Sequence, residues 1–461
     1  MPLILGTNSI KDTGYEVDNS CRFNVGSNDF LSRTIGTPTD EDRWTFSVWL
    51  KTTGEAPPVQ YGILSAGNYP SAYETIHLNG SDQLFYHYND GGGVNHGATK
   101  YSGTIRDPSA WYNLIVSRNG TAVKIYINGN DVTTTVTSYN NSTNVINKSG
   151  GTLRIGHSER ETSGRSWNGY MSEVVFCDGQ LLDQTSFGEF DDSGIWKPID
   201  VSGLTFGNNG FYLDFENSGS LGADVSGNGN NFTVNNLTSI DQSSDSCTNN
   251  FATLNPLDPS PNTVVFSEGN LVVTGSGANG GRFAGGTIGL NSGKWWCEIK
   301  VTTNGSYPIL GIIDSATSFK RDAIYFVDSG QDAINRSGYA VFSNSDIYNN
   351  GDDNFGDFGT TYTTGDIIGV GLDMDASTPT LTFQKNGSNE VTVTTEVPPS
   401  GFYTFPAIGI YFASAKAEVN FGNSPFSISS GNTDANGYGN FEYAPKTNYL
   451  ACCTKNLAEY G

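Results

Sequence analysis

Positively charged residues are scarce in this sequence. Its 461 residues include 24 Lys and Arg against 47 Asp and Glu, so the formal net charge is −23. Such an excess of negative charge repels nucleic-acid phosphates and anionic membrane surfaces. The composition therefore argues against nucleic-acid binding, and it is typical of a protein that must stay dispersed in solution.

Long apolar runs are also lacking. No stretch of the sequence approaches the roughly 20 apolar residues that a membrane-spanning helix needs. The first residues contain only the short apolar patch Leu3, Ile4 and Leu5 with no basic residue before it, which is not the pattern of a secretory signal. We therefore expect synthesis in a cytoplasm, no membrane insertion, and any release from the cell by a route such as lysis.

Cysteine is rare and follows no metal-binding pattern. The sequence shows no zinc-ligand spacing, and the vicinal pair cannot easily bridge to itself without strain. We expect reduced thiols that behave as small apolar residues, which suits synthesis in a cytoplasm. The six cysteines are Cys21, Cys177, Cys247, Cys297, Cys452 and Cys453.

Residue types that often perform catalysis are present without a catalytic arrangement. None of the four histidines lies near a nucleophile-elbow motif, and no carboxylates show the paired spacing that sandwich-fold glycosidases use. Three histidines are close enough in sequence to suggest a metal site, but they are spread over strands and a glycine loop. We therefore predict that the protein is not an enzyme. The histidines are His77, His87, His96 and His157, and the closest acidic groups are Glu189, Asp191, Asp192, Asp214, Glu216, Asp373 and Asp375.

Glycine and aromatic residues, in contrast, are abundant, with 57 Gly and 12% Phe, Trp and Tyr. Gly and Asn form turns, while aromatic residues suit pleated strands. The stretch WYNLIVSRNGTAVKIYINGN, residues 111–130, contains two alternating apolar runs joined at Asn119-Gly120 and followed by Asn128-Gly129. This pattern predicts a β-hairpin followed by another turn.

Two strand-rich blocks flank a polar stretch at about residues 217–262. Strands recur with short turns and without helical crossovers, which predicts antiparallel sandwiches. Trp295 and Trp296 point to opposite faces of one strand, so we expect one of them at a domain interface or a binding surface. The predicted boundaries are an N-terminal arm at 1–20, a first domain with a polar C-terminal extension at 21–255, a second domain at 263–428 and a C-terminal tail at 429–461.

Both blocks resemble known families. TFSVWLK, WYNLIVSRNGTAVKIYINGN, GTLRIGH and WNGYMSEVVFCDGQL follow the order seen in laminin-G-like, concanavalin A-like jelly rolls, over roughly residues 20–200. GKWWCEIKV, YPILGIID and GDIIGVGLDMDASTPTLTFQKNG resemble a SPRY domain, over roughly residues 263–428. The resemblance implies an all-β fold of two concanavalin A-like antiparallel β-sandwiches, a jelly roll followed by SPRY.

This domain pair, with the acidic composition and the opening MPLILGTNSIKDTGYEVDNSCRFN, is similar to virion surface proteins of tailed phages, particularly phages of aquatic bacteria. The resemblance implies a tail fibre, tip adhesin or capsid fibre that binds other virion proteins and host-surface polysaccharide during host attachment. The alternative is a structural or capsid decoration protein without its own ligand. The family also implies a homotrimer, although the sequence shows no coiled-coil heptads. The arm at residues 1–20 is expected either to dock on another virion protein or to form an edge strand of the first sandwich.

Carbohydrate sites combine an aromatic platform with polar groups that fix ring hydroxyls. Loops in both blocks offer such residues, although loop aromatics also cover the ends of sandwiches. The candidate glycan-binding residues are Tyr69, Tyr73, Tyr88, Asp90, Trp167, Tyr348 and Phe355.

No cofactor is certain, and calcium is the one candidate. Laminin-G-like domains often hold calcium at one end of the sandwich through the oxygen ligands that this ion prefers. Two acidic turns, ADVSGNGNN and NNGDDNFGDFG, carry such oxygens, and the same residue types also form turns. The candidate ligands are Asp224, Asn228, Asn230, Asp352, Asp353 and Asp357.

Overall fold

A computed structural model describes most of the chain, and it divides into two compact units, one ending at Thr248 and the other continuing from Asn249. The division falls inside the predicted polar stretch, before the predicted end of the first domain. Residues 1–13, most of the predicted arm, lie outside the described residues. Those described are 14–55, 60–67, 71–90, 95–137, 145–158, 165–257, 264–277, 282–303, 308–314, 338–349, 352–395, 403–410 and 413–461, of which 90, 95–99, 135–137, 282, 314, 349 and 352–355 are described by their backbone alone.

In its described residues the first unit consists of short and medium-length strands and of two 3₁₀ turns, at Gln184–Ser186 and Ser239–Asp241. The strands are β1 (Ser20–Phe23), β2 (Phe30–Thr34), β3 (Arg43–Thr52), β4 (Gln60–Gly67), β5 (Ala72–Asn79), β6 (Leu84–Asp90), β7 (Asn95–Lys100), β8 (Tyr112–Asn119), β9 (Ala122–Ile127), β10 (Asn130–Asp131), β11 (Thr134–Thr137), β12 (Thr152–Ile155), β13 (Gly169–Asp178), β14 (Gly188–Phe190), β15 (Trp196–Pro198), β16 (Phe211–Leu213), β17 (Thr233–Asn235) and β18 (Gln242–Ser243).

These strands form two large antiparallel sheets and a separate ribbon of β14 and β15. Sheet A has the order β10-β9-β8-β3-β13-β1-β18, with β16 also paired to β13, and sheet B has the order β11-β7-β6-β5-β4-β12-β2-β17. One apolar core takes side chains from both sheets, and the ring of Trp44 on β3 lies 6.0 Å from that of Tyr86 on β6. The first unit is therefore an antiparallel β-sandwich, as predicted.

The hairpin predicted at residues 111–130 is confirmed as β8 and β9. Leu114 lies opposite Ile127 and Val116 opposite Ile125, and all four side chains belong to the core. Gly120 in the connecting turn has a φ of +60°, which glycine adopts without steric cost. The register of the hairpin is thus the one predicted both by the alternation of apolar residues and by the position of the turn residues.

The outer face of sheet A is buried as well. Ile115, Val175 and Cys177 on this face pack against Phe187 and Phe206 from the segment after β13. Further along the chain, the segment that carries β18 ties to the same face through a buried ion pair described below. The predicted polar extension is therefore an integral cover of the first sandwich.

The second unit combines strands with one short helix in its described residues. The elements are β19 (Val264–Ser267), β20 (Val272–Gly275), β21 (Arg282–Gly285), β22 (Lys294–Val301), β23 (Pro308–Asp314), β24 (Gly338–Val341), β25 (Asp346–Asn349), β26 (Asp352–Asp357), β27 (Ile367–Asp373), β28 (Thr380–Lys385), β29 (Ser388–Thr394), β30 (Thr404–Ile410), β31 (Lys416–Asn420), β32 (Leu450–Ala451) and α1 (Thr454–Tyr460).

This unit is a second two-sheet sandwich. Sheet C has the order β19-β20-β31-β22-β27-β28-β29, and β32 joins β22 as a parallel strand. Sheet D has the order β21-β30-β23-β24-β25-β26. A core cluster draws Cys297 and Ile299 from sheet C and Leu310 and Ile312 from sheet D. The predicted all-β class with two antiparallel sandwiches is thus confirmed.

The segment 429–461, predicted to be a tail, packs on the outer face of sheet C. Trp295 lies in the sandwich core, and Trp296 lies on the opposite face against Phe441 and Tyr449. Both tryptophans are 1% exposed. The expectation that the two rings face opposite ways is correct, but the outward ring is covered by the C-terminal segment of its own unit.

The cysteines form no disulfide bonds, and the described helices are short. All six cysteines are free, five of them buried and Cys247 half-buried. Within the part of the chain that the structure describes, no helix is long and apolar enough to cross a membrane.

Candidate functional site

The core of the first sandwich contains two of the predicted glycan-binding aromatics. Tyr88 and Trp167 are 1% and 0% exposed and belong to the cluster between the sheets. Tyr88 points inward because it alternates with His87 and Asn89 along β6. Neither ring has a face open to a sugar, which corrects their assignment to surface loops. Tyr69 lies outside the described residues, as do the side chains of Asp90 and Phe355.

Tyr73 lies on a strand rather than in a loop, on the outer face of sheet B. It faces Asn89 across the ladder, and Thr75 and His77 follow on the same face opposite His87 and Phe85. The ring centroid of His87 lies 5.7 Å from that of Tyr73 and 6.4 Å from that of His77. No site was predicted at these histidines, yet the alternation in YETIHLN and LFYHYND already places polar residues on one face.

This polar face of sheet B is buried in the structure. Thr75, His77 and His87 are 0%, 1% and 4% exposed. Ser65 Oγ donates a hydrogen bond to the carbonyl of His157 at 2.7 Å. Burial, followed by the positive charges of Arg154 and Arg165, lowers the pKa of His157 to about 4, so its imidazole is neutral at physiological pH.

Tyr348 belongs to a solvent-facing group at the edge of sheet D, which we call the Tyr348 surface: Phe342, Asn344, Asp346, Tyr348 and Asp357. Phe342, Asp346 and Tyr348 are half-buried, while Asn344 and Asp357 are exposed. The rings of Phe342 and Tyr348 lie 4.0 Å apart, inclined at 44°. Among the predicted glycan-binding residues whose side chains are described, Tyr348 reaches solvent, whereas Tyr73, Tyr88 and Trp167 are buried.

Strand register brings these residues together. Asp346 lies opposite Asp357 on β26, and the backbone N–H of Phe342 donates to the carbonyl of Asp346 at 3.0 Å. Ile347 points into the sandwich core, so its neighbours Asp346 and Tyr348 point outward. The rings of Phe342 and Tyr348 rest on an apolar layer that includes Ile309 and Phe405.

Local hydrogen bonds orient the polar members of the Tyr348 surface. Asn344 Nδ2 donates to Asp346 Oδ2 at 2.5 Å. The N–H of Gly359 donates to Asp357 Oδ1 at 2.6 Å. This bond, followed by one from the Ser345 side chain, lowers the pKa of Asp357, so the carboxylate is ionised at neutral pH. The surface thus combines two aromatic rings with carboxylate acceptors, which suits a hydroxyl-rich ligand.

In the first predicted calcium loop, the proposed ligand side chains form hydrogen bonds within the protein. The carboxylate of Asp224 accepts three backbone N–H groups at 2.7–3.0 Å. Asn228 and Asn230 direct their amide nitrogens to backbone carbonyls in residues 207–210. Arg33 donates to Asn230 Oδ1 at 2.7 Å. These bonds fold the loop onto β2, and a guanidinium already provides positive charge there.

The second predicted calcium loop is described only in part. The side chains of Asp352 and Asp353 lie outside the described residues, and Asp357 belongs to the Tyr348 surface. Within the described residues, no three His, Cys, Asp or Glu side chains are grouped so that they could hold a metal ion. Calcium binding stays a prediction.

The acids of GLDMDAS, which were considered as catalytic candidates, hold a turn. Asp373 Oδ1 accepts the N–H groups of Asp375 and Ala376 at 3.0 and 3.2 Å. Asp375 Oδ1 accepts the N–H of Gly293 at 2.8 Å, and Lys294 pairs with Asp373 at 2.8 Å.

Two buried glutamates with raised pKa values, Glu173 and Glu298, were not predicted as functional residues. Burial raises the pKa of Glu173 and of Glu298 to about 7. Glu298 on β22 accepts the backbone N–H groups of Glu442 and Tyr443 at 3.0 and 2.7 Å, and Asn420 Nδ2 at 3.1 Å. It therefore anchors the C-terminal segment. A single acid within the apolar strand WWCEIKV is the sequence signal that marks such a residue.

These features define a protein of two β-sandwich units with a polar and aromatic surface at the edge of the second. Comparison with family models finds a domain in each unit. Residues 26–185 match Laminin_G_3, the concanavalin A-like lectin/glucanases superfamily. Residues 295–424 match the SPRY domain. A comparison with curated proteins gives no match.

Three solved structures illustrate what the fold is similar to. The SPRY domain of human HERC1 is 18% identical, with 32% of this chain and 87% of that chain covered and a TM-score of 0.24. Mouse laminin alpha1 domains LG4-5 are 9% identical, with 88% and 90% covered and a TM-score of 0.31. Domain 4 of the extracellular arabinanase AbnA from Geobacillus stearothermophilus, in complex with arabinotriose, is 18% identical, with 31% and 63% covered and a TM-score of 0.25. These values are too low to transfer a function.

Proposed function

We propose that this chain is a glycan-binding adhesion protein and that the Tyr348 surface is its binding site. The observation that carries the proposal is the pair of half-buried rings, Phe342 and Tyr348, on the same face of sheet D as the ionised carboxylate of Asp357. An aromatic face packs against the C–H groups of a sugar ring, and carboxylates accept hydrogen bonds from its hydroxyls. The match of the first unit to the concanavalin A-like lectin/glucanases superfamily supports the same class of ligand.

We also propose, from the sequence resemblance alone, that the protein acts on the surface of a tailed-phage virion, as a tail fibre, tip adhesin or capsid fibre. Its partners would be other virion proteins and host-surface polysaccharide, and its assembly a homotrimer. The acidic net charge of −23 is compatible with a protein exposed to solvent on a particle. Immunogold labelling of intact phage particles with an antibody against this protein tests the location. Particles that carry no label would contradict it.

A glycan array with the full-length protein tests the binding site. We expect selective binding to a subset of glycans. The dissociation constant of Tyr348→Ala should be at least tenfold larger than that of the wild type, a loss of about 1.4 kcal/mol in binding free energy. Tyr348→Phe should bind nearly as well as the wild type because it keeps the ring. The comparison is made by biolayer interferometry on the best glycan.

Tyr460→Ala is the matched control, because Tyr460 is an exposed tyrosine of the same unit, at the end of α1. It should leave the dissociation constant unchanged. Equal affinities of wild type and Tyr348→Ala would exclude the Tyr348 surface. No binding by the wild type to any glycan would instead favour a structural or decoration protein without its own ligand.

A further inference from the structure

Glu173 occupies an unusual backbone position in the first sandwich. It lies in β13, where the pairing with β3 shifts by one residue between Ser172 and Val175. Its φ is +50°, a left-handed conformation that few non-glycine residues adopt. Glu173 is nevertheless 6% exposed. Bulges and left-handed backbone often occur where a side chain has a function, which makes this carboxyl group a candidate functional residue.

A chain of hydrogen bonds leads from Glu173 toward the N-terminus. Tyr212 Oη lies 2.9 and 2.8 Å from the two carboxyl oxygens of Glu173. The hydroxyl of Tyr15 lies 3.3 Å from that of Tyr212. Tyr15 belongs to residues 14–19, the segment before β1, which we call the N-terminal cover.

The N-terminal cover is a layer of six residues that is hydrogen-bonded to neighbouring segments of the first unit. Thr248 Oγ1 accepts the N–H of Val17 at 3.0 Å and donates to its carbonyl at 2.9 Å. Ser172 Oγ, next to Glu173, donates to the carbonyl of Asn19 at 2.8 Å. Val17 is the buried side chain of this cover. Lifting six residues therefore costs less than separating β13 from its neighbours in sheet A.

The charged and titratable groups around Glu173 are mostly acidic. The groups that interact with Glu173 are Tyr15 from the cover, Tyr212, Asp214 and Glu216 from β16 and the residues after it, and Asp200 and Cys247 from two further segments. Glu16 and Asp245 in turn act on Cys247. Lys197, whose Nζ lies beside Gly14, pairs with Glu189 at 3.4 Å. Negative neighbours make an ionised Glu173 still less favourable.

We propose that Glu173 and the N-terminal cover form a pH-dependent latch, in which the cover stays closed while Glu173 is protonated and opens when Glu173 ionises. A buried carboxylate with acidic neighbours gains most by reaching water. In the proposed latch, opening the cover hydrates this carboxylate and breaks the Tyr15–Tyr212 hydrogen bond. The latch lies in the first unit and does not depend on the proposed glycan binding in the second.

The direction of the pH effect follows from the shift. Burial, as the first cause, raises the pKa of Glu173 from 4.5 to about 7. Because the pKa of Glu173 is raised in the closed state, the stabilisation of that state is fully present below about pH 4.5, where Glu173 is protonated in both the open and the closed state. It declines as pH rises and is lost once pH passes about 7. The latch thus opens on the alkaline side of neutrality.

Hydrogen exchange of peptides from residues 14–19 tests the latch. After correction for intrinsic exchange, the wild-type cover should exchange at least tenfold faster at pH 8.5 than at pH 6. Glu173→Gln, which cannot ionise, should show no such increase. Glu298→Gln, which changes the buried glutamate of the other unit, is the matched control and should keep the wild-type pH response.

A second variant keeps the test decisive if Glu173→Gln folds poorly. Tyr15→Phe removes the outer hydrogen bond, so it should speed exchange of the cover at pH 6 and reduce the difference between the two pH values. A wild-type cover with equal corrected rates at both pH values would overturn the proposal. So would a pH response that persists unchanged in Glu173→Gln.

Discussion

Buried charges in this protein depend on a partner at hydrogen-bond distance. The side chains of Lys51 on β3 and Asp245 are 1% and 0% exposed, and Lys51 Nζ lies 2.7 Å from Asp245 Oδ2. Trp111 Nε1 donates to the other carboxylate oxygen at 3.1 Å. Burial lowers the pKa of Lys51, and the negative charge of Asp245 opposes this shift. The two residues therefore act as one unit.

Replacing one member of the Lys51–Asp245 pair should lower the free energy of unfolding more than replacing both. Asp245→Ala leaves the Lys51 ammonium buried without its carboxylate, at a cost of about 3–5 kcal/mol in the free energy of unfolding. Combining it with Lys51→Met should recover much of that loss. Urea unfolding of the two single variants and the double variant measures the coupling. Losses that simply add would contradict a coupled pair.

At the residue scale, the sequence shows alternation but not always which face is inside. Tyr348 was predicted as a surface aromatic and does reach solvent, whereas Tyr88 and Trp167 turned out to be core residues. A shift of one position exchanges the two faces of a strand, and tyrosine suits both. Glu173 was missed because a bulge, which the local sequence does not mark, changes the register of β13.

At the scale of elements, the C-terminal segment supports the second sandwich. Phe441 is 0% exposed and packs in one cluster with Trp296 and Tyr449. Asp434 joins the parts of the segment, because its Oδ2 accepts the N–H of Ala451 at 2.8 Å and Asn456 Nδ2 at 2.7 Å. The segment therefore acts as a structured layer on sheet C.

Loss of one ring from this layer should destabilise the second unit. Phe441→Ala removes a buried aromatic side chain, which costs about 3–5 kcal/mol. Phe190→Ala is the matched control, since Phe190 is 49% exposed and its removal should cost only about 0.5 kcal/mol. Differential scanning calorimetry measures both. Equal losses would show that the C-terminal segment is a dispensable tail.

Elements formed by neighbouring residues were the most predictable. The hairpin of β8 and β9 follows from alternation and an Asn-Gly turn within one short stretch. The parallel pairing of Trp295 with Leu450 joins distant parts of the chain, and β32 is only two residues long. Such a strand carries no periodicity of its own, so residues 429–461 were mistaken for a tail.

At the scale of the whole molecule, each unit has its own apolar core between two sheets. Strand alternation and the turn residues were enough to predict this class. The position of the division was harder, because the polar stretch after β16 has little pattern and its residues up to Thr248 belong to the first unit. The binding surface depends on the register of β24, β25 and β26, which only the folded sheet determines.

Hydrogen exchange of the full-length protein, with and without a saturating amount of the best glycan from the array, locates the binding site directly. The account predicts that the glycan slows exchange in residues 338–349 and 352–359, which carry the Tyr348 surface. Tyr348→Ala at the same glycan concentration should lose this protection. Bound glycan with unchanged exchange in both stretches, or with protection confined to the first unit, would contradict the central claim.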